Sequence, residues 1–378
     1  KKQKQEDRGQ PENAGGYGKM GERLLMRGNE VIAEAAIRAG CRYYFGYPIT
    51  PQTEIAHYFA KKMPLVGGVF LQAESEVAAI NMVYGAAGAG ARVMTTSSSP
   101  GISLKQEGIS YISGAELPAV IVNIVRCGPG LGGILPAQCD YFQAVKGGGH
   151  GDYKMVVLAP CSVQETYELT VEAFNIADKY RIAVMIMGDG MLGQMMEVVE
   201  FKDREDVYEA DKSWATTGHG MKRGNNVITS IYINPEVLEK HNQKLQAKYR
   251  LIERNEKRVE VCNCDGADVI VAAFGTVARI VKNVIKMAEK EGVKVGLIRP
   301  ITLWPFPDEV FEEYAETPAG FLTVEMNAGQ MAEDVRLALN GRNRTFFHGR
   351  MGGMIPTQQE ILDKIKEIRK GICNAGCI

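Results

Sequence analysis

The feature that most constrains this chain is a rhythm in which apolar runs the length of buried strands alternate with segments the length of amphipathic helices. The apolar runs fall at residues 41–46, 69–71, 92–96, 119–125, 155–158 and 182–187. Helical patterns separate them. Residues 29–39 carry Val31, Ile32, Ala35, Ala36 and Ile37 on one stripe, and residues 74–90 are rich in Ala and Gly. Residues 163–180 open on the capping box Ser162-Val-Gln-Glu165. Strands that are apolar throughout need cover on both faces, so the alternation predicts an α/β fold with a parallel sheet between helices. The rhythm restarts at Asp268, with strands expected over 269–274, 294–298 and 321–325 and helices over 276–291, 308–315 and 330–339. A last helix starts near a second capping box, Thr357-Gln-Gln-Glu360.

Residues 197–260 break the pattern. They are charged and contain Trp214 and a turn-like Arg223-Gly-Asn-Asn226. A helix from Pro235 to about Val259 follows. The expected organisation is a tail over 1–19, a first α/β domain over 20–196, a connector with its helix over 197–260, and a second α/β domain over 261–378. The tail is polar, glycine-bearing and without an apolar core segment, so it does not read as a secretory signal.

Formal net charge is −1, which gives no global field to attract nucleic acid or an anionic membrane. No apolar run approaches the ~18 residues of a bilayer span. The eight cysteines do not form a disulfide framework. Cys41, Cys127, Cys139 and Cys161 are scattered singly, while Cys262 with Cys264 and Cys373 with Cys377 form two pairs. Neither pair has ferredoxin-type cluster spacing. The pairs are read as free thiols, the alternative being one four-thiolate site. A cytoplasmic location is expected.

Glycine is the compositional outlier, at 42 of 378 residues against roughly 7% in an average protein. It gathers in loops that follow strands, where an open parallel sheet binds ligands. Gly46-Tyr47-Pro48-Ile49-Thr50-Pro51 comes after the first run. There Pro51 is expected to open a helix, with the Thr50 hydroxyl either capping it or meeting an anion. Glu74-Ser-Glu76 starts a small-residue helix whose burial would require Glu76 to have a partner; a purely structural acid at a helix start is the alternative. Ser97-Ser-Ser-Pro-Gly101 offers hydroxyls and helix-start donors to an anion or polar ring, or makes an ordinary turn. Arg126 ends a strand and is followed by the glycine loop Cys127-Gly-Pro-Gly-Leu-Gly-Gly133, which suits carboxylate binding as well as a surface ion pair.

Lys146-Gly-Gly-Gly-His-Gly-Asp152 leaves room for a ligand or partner backbone, or gives flexibility. His150 stands alone, so no metal set is read here. Gly188-Asp-Gly190 and Asn225-Asn226 look like a diphosphate and magnesium signature, but 34 residues separate them, too many for that motif. There is no P-loop and no well-placed dinucleotide fingerprint.

With GYPITP, QAESEVAAINMVYGA, SSSPG and VNIVRCGPGLGG in one chain, the sequence resembles the alpha subunit of the 2-oxoacid:ferredoxin oxidoreductases from about Gly28 onward. KGGGHGDY and SSSPGISLKQEG are closer to the branched-chain (2-oxoisovalerate) type than to the 2-oxoglutarate type, in which the counterpart of Glu74-Ser-Glu76 usually reads E-D-E. The resemblance implies a thiamin-pyrimidine-binding domain followed by a transketolase C-terminal-like domain. It implies thiamin diphosphate shared with a beta subunit that holds the diphosphate, Mg2+ and a 4Fe-4S cluster. Gamma and ferredoxin-like delta subunits commonly complete such complexes. The activity it implies is oxidative decarboxylation of a 2-oxoacid to the acyl-CoA, with electrons passed to ferredoxin.

The resemblance also implies roles. Glu76 corresponds to the glutamate that hydrogen-bonds N1′ of the aminopyrimidine and so activates the cofactor. Thr50 and Arg126 correspond to residues that hold the substrate carboxylate, and Tyr47, Pro48, Ile49, Ser98 and Ser99 to the cofactor's surroundings. A 2-oxoglutarate enzyme stays open as an alternative. It would need a further cation, for which Arg42, Lys146 and His150 are candidates. So does a non-catalytic α/β assembly subunit in which the acid and Arg126 are structural.

Overall fold

A computed structural model describes residues 22–202, 207–316 and 320–371. The chain opens with β1 (Glu22–Arg27), α1 (Gly28–Arg38), β2 (Tyr43–Gly46), α2 (Thr53–Lys62) and β3 (Val69–Gln72). Next come α3 (Glu76–Gly88), β4 (Val93–Ser97), α4 (Pro100–Gly114), β5 (Ala119–Val125), α5 (Tyr141–Val145) and β6 (Val156–Leu158). Then follow α6 (Val163–Tyr180), β7 (Ala183–Asp189), α7 (Gly190–Gln194), β8 (Met196–Phe201), α8 (Pro235–Asn255) and β9 (Val259–Cys262). The rest is β10 (Val269–Ala272), α9 (Gly275–Lys290), β11 (Val295–Pro300), β12 (Thr302–Trp304), α10 (Asp308–Glu313), β13 (Phe321–Glu325), α11 (Gln330–Leu339), β14 (Thr345–Gly349) and α12 (Gln358–Arg369).

The first sheet has the order β12-β6-β7-β5-β4-β2-β3 and is parallel except for β12. Every residue of β4, β5 and β7 is buried; β5 and β7 are largely apolar, whereas β4 buries the hydroxyls of Thr95, Thr96 and Ser97 beside Val93 and Met94. From β2 the chain steps outward to β3 and then returns to β4 on the other side of β2. That reversal opens a crevice between the carboxyl ends of β2 and β4, where open parallel sheets bind ligands.

The second sheet, β14-β13-β10-β11-β9, is parallel apart from β9. β12 lies beyond β11 in the chain but adds to β6 of the first sheet, with Thr302 opposite Leu158. One core therefore runs from Val120, Ile121 and Met185 into Phe274, Ile298 and Phe321 of the second half. Each such side chain fully buried contributes about 1.5–3 kcal/mol.

Several expectations need correction. Residues 197–201 belong to β8, which pairs antiparallel with β1. The helix expected to reach Val259 ends at Asn255, and Val259 starts β9. Of the two capping boxes, only the one at Thr357 is reciprocal. Ser162 does accept from the Glu165 N–H at 3.1 Å, but the Glu165 carboxylate accepts from Cys161 and Arg299 instead. Residues 1–19, Met20, Cys373 and Cys377 lie outside the described residues. No described helix is long and apolar enough to cross a membrane.

Candidate active site

The loop after β2 does not start a helix at Pro51. Residues 50–51 form a turn, and α2 begins at Thr53. The Pro51 carbonyl is taken by Asn29 Nδ2 at 2.8 Å, so it is committed to α1. Tyr47, Pro48 and Thr50 are exposed and Ile49 is half-buried. Below them Gln52 is fully buried and ties the loop down. Its Nε2 donates to the Tyr47 carbonyl at 3.3 Å, and its Oε1 accepts from the Thr96 hydroxyl, which also pairs with the Tyr44 phenol at 2.7 Å.

Glu76 is the first residue of α3 and is 6% exposed. Ser75 caps the helix, its hydroxyl accepting from the Ala78 N–H at 3.1 Å, so the Glu76 side chain is not needed for that task. Gly101 on α4 packs against the carboxylate. A Cβ there would sit 2.1 Å from Ser97 Oγ and 2.7 Å from Glu76 Oε1. Ser97 Oγ and Ser98 Oγ are buried with no hydrogen-bond partner among the described residues. Buried hydroxyls left this way are costly unless a bound group completes them. An acid, two orphaned hydroxyls and a glycine that makes room for them fit a polar aromatic ring such as the aminopyrimidine of thiamin.

Ser99 joins this crevice to the next strand end. Its φ of 23° and ψ of −82° are rare for a residue with a side chain. The conformation is held by Asn123 Oδ1, which accepts from the Ser99 N–H at 3.1 Å, and by Arg126, whose N–H donates to Ser99 Oγ at 3.1 Å. The Arg126 guanidinium donates through Nη1 to the Thr50 carbonyl at 3.1 Å, and its buried Nε is unpartnered. Thr50 and Arg126 are thus brought together as the sequence suggested, but through the Thr50 backbone. Arg126 and Ser99 line a cavity of about 690 Å³ between the two halves of the molecule. Pro100, Cys127, Pro129, Leu131, Ala137 and Met326 give it a largely apolar wall.

Other candidates fall elsewhere. Arg42 spends its guanidinium on the Ile37 and Cys41 carbonyls, Lys146 pairs with Asp334, and exposed His150 lies edge-on to Tyr111. None of the three lines the cavity. In the glycine run, a Cβ on Gly148 would lie 2.6 Å from Gln106, so close packing on α4 accounts for that residue. Asp189 caps α7 through the Met191 and Leu192 N–H groups, while Asn226 binds the Ser213 and Ala215 carbonyls. Neither Asp189 nor Asn226 is at the other's site. Cys262 and Cys264 are free thiols, and no group of three or more metal-binding side chains forms among the described residues.

Sequence reading missed Lys105. It lies on α4, one turn beyond Gly101, and is fully buried. Nζ donates to Thr95 Oγ1 at 2.6 Å and to the Thr96 carbonyl at 3.2 Å. Burial pushes its ammonium down to about 7, against the opposing pull of the Glu76 carboxylate. The available signal was its place at i+4 from Gly101 on the helix face that meets the sheet.

The switch-point crevice, joined through a shared core to a second α/β sheet, is a ligand-binding arrangement, and the family matches place the chain among thiamin diphosphate-binding enzyme subunits. Residues 34–260 match the thiamine diphosphate-binding domain of pyruvate flavodoxin/ferredoxin oxidoreductase, and residues 267–361 match core domain II of pyruvate:ferredoxin oxidoreductase. The chain belongs to the 2-oxoacid:ferredoxin oxidoreductase family, as one subunit of an oxidoreductase. It is 51% identical to ketoisovalerate oxidoreductase subunit VorB of Methanothermobacter marburgensis, over 91% of this chain and 97% of that protein. Identity to 2-oxoglutarate synthase subunit KorA of the same organism is 37%, over 92% and 99%.

The solved 2-oxoglutarate:ferredoxin oxidoreductase from Magnetococcus marinus superposes with a TM-score of 0.84 at 28% identity. The match covers 92% of this chain and 65% of that one. A split-gene transketolase shares the fold at a TM-score of 0.55 and 13% identity, over 91% of this chain and 98% of its own.

Proposed function

We propose that this chain is the alpha subunit of a branched-chain 2-oxoacid:ferredoxin oxidoreductase, converting 2-oxoisovalerate and coenzyme A to the acyl-CoA and CO2 with electrons passed to ferredoxin. The observation that carries the substrate class is the cavity beside Arg126. Among its described lining residues Arg126 is the one cation and Asp140, bonded to Asn123, the one anion, and its wall is otherwise largely apolar. One cation serves the 2-oxo carboxylate, and the apolar wall suits an aliphatic side chain. A 2-oxoglutarate enzyme needs a second cation for the distal carboxylate, and Arg42, Lys146 and His150 are all turned elsewhere.

In this reading residues 20–196 form the pyrimidine-binding domain, 261–378 the transketolase C-terminal-like domain, and 197–260 the connector. When bound, thiamin diphosphate supplies the carbanion chemistry. The chain itself binds and orients. Glu76 holds a proton at N1′ of the aminopyrimidine, and Ser98, Ser99, Tyr47, Pro48 and Ile49 border the ring. Arg126 holds the carboxylate with Thr50 beside it, which fixes the bond to be broken relative to the cofactor. A beta subunit carrying the diphosphate, Mg2+ and a 4Fe-4S cluster completes the site, with gamma and ferredoxin-like delta subunits in the assembly.

The test is a rate comparison in the complete complex. Ferredoxin reduction should be fastest with 2-oxoisovalerate and slow with pyruvate and 2-oxoglutarate. A preference for 2-oxoglutarate would overturn the substrate assignment.

A further inference from the structure

Lysine is almost never fully buried unless it is paired. Yet no carboxylate forms an ion pair with Lys105 among the described residues, and its printed partners are a hydroxyl and a carbonyl. Such a charge needs a reason. Four residues earlier on the same helix face, Gly101 presses on Glu76 and Ser97. α4 thus carries Lys105 one turn along from the glycine that touches Glu76 and Ser97, while its ammonium reaches Thr95 and Thr96 of β4. We propose that Lys105 is a positioning residue for Glu76: a buried counter-charge that fixes how readily the carboxyl takes and holds the proton it shares with the aminopyrimidine. The inference rests on the proposed role of Glu76.

Glu76 is the charge that opposes the effect of burial on the Lys105 ammonium. β4 and β5 contain no ionisable residue. β7 contributes Asp189, whose carboxylate is occupied by the Met191 and Leu192 N–H groups and whose pKa burial raises. On β2 the Tyr44 phenol stands behind Thr96, and burial keeps it protonated. Gln106, the next residue on α4, is neutral. A cation buried in this way favours the ionised acid, and the ionised acid favours the cation. The same ammonium anchors β4 through Thr95 and Thr96; the Thr96 hydroxyl donates to Gln52, whose Nε2 donates to the Tyr47 carbonyl. One charge thus bears on the acid and, through β4, on the loop over the crevice.

The test uses the complete complex with two neutral replacements, Lys105→Met and Lys105→Gln. Met keeps the bulk of the side chain, while Gln keeps a donor for Thr95 and Thr96 but not the charge. Both should move the acid limb of the kcat–pH profile to higher pH by about one unit, the size expected for loss of an opposite charge nearby. Circular dichroism of the bound cofactor, which separates the protonated and imino forms of the aminopyrimidine, should show the same displacement.

In a Glu76→Gln background, Lys105→Met should shift neither signal further. If Glu76→Gln alone suppresses turnover but both lysine variants keep wild-type pH profiles and spectra, the inference is wrong while the role of Glu76 stands. If Lys105→Gln restores the wild-type profile that Lys105→Met loses, the lysine is a structural donor, which also overturns it. If Glu76→Gln is itself without effect, the underlying reading fails first.

Discussion

Arg126 and Thr50 meet through a side chain and a backbone: the guanidinium Nη1 donates to the Thr50 carbonyl at 3.1 Å. The contact leaves the Thr50 hydroxyl uncommitted and aims the Arg126 fork from a fixed point beside the cavity. Arg126→Lys should lower kcat/KM for the 2-oxoacid by roughly 10- to 100-fold, since a hydrogen bond to a charged group is worth about 1.5–3 kcal/mol. Most of the loss should fall on KM. Thr50→Val removes the hydroxyl but keeps the carbonyl, so its effect should be smaller. Steady-state kinetics of both variants in the complex check the ranking.

Gly101 is a close-approach glycine. A methyl there meets Ser97 Oγ at 2.1 Å and Glu76 Oε1 at 2.7 Å, and both have to give way. Gly101→Ala should weaken thiamin diphosphate binding by tenfold or more while costing about 1–3 kcal/mol of stability from overpacking. Calorimetric titration of the cofactor into the complex, set beside an unfolding curve, separates the two effects.

The connector helix is docked by charge. Glu116, in the turn after α4, pairs with Lys248 at 3.1 Å and with Lys244, both on α8. Burial alone would push the carboxyl up, but the two lysines override it and hold its pKa at about 2. A carboxyl depressed on folding adds stability above its unfolded pKa of 4.5 and loses it as pH falls toward 2. Stability should therefore decline between those values, and Glu116→Gln should flatten that part of the curve. Urea midpoints over the acid range measure it.

Arg299 locks the two halves together. It is 4% exposed and bridges Glu165 on α6, at 2.7 Å, and Glu260 on β9. Arg299→Ala leaves Glu165 without its cation and Glu260 with Lys282 alone, and should cost about 3 kcal/mol, readable from denaturant unfolding. Glu165 should also grip the Cys161 N–H less well, loosening the start of α6.

Long, unbroken patterns were legible. The expected strands at 119–125 and 321–325 and the helix at 330–339 coincide with β5, β13 and α11, because buried apolar runs and a single amphipathic stripe leave one fold class open. Short strands made by pairing were not. β12 has three residues and exists because it meets β6, and β8 exists because β1 lies against it. At the site, Glu76, Ser99 and Arg126 carried signals in the loops after strands. Lys105 carried only its i+4 spacing from Gly101, and Gln52 carried none, since a buried polar residue reads as an exposed one until its partners are known. The Pro51 expectation failed because Asn29, far off in sequence, claims its carbonyl.

The most direct measurement is 2-oxoisovalerate-dependent ferredoxin reduction by the complete complex carrying Glu76→Gln. With the subunits assembled and the cofactor bound, the rate should fall by at least roughly 100-fold, the lower end of what a positioned acid contributes. A rate near that of the unaltered complex would contradict the central claim, because Glu76 would then be only a buried acid at the start of α3.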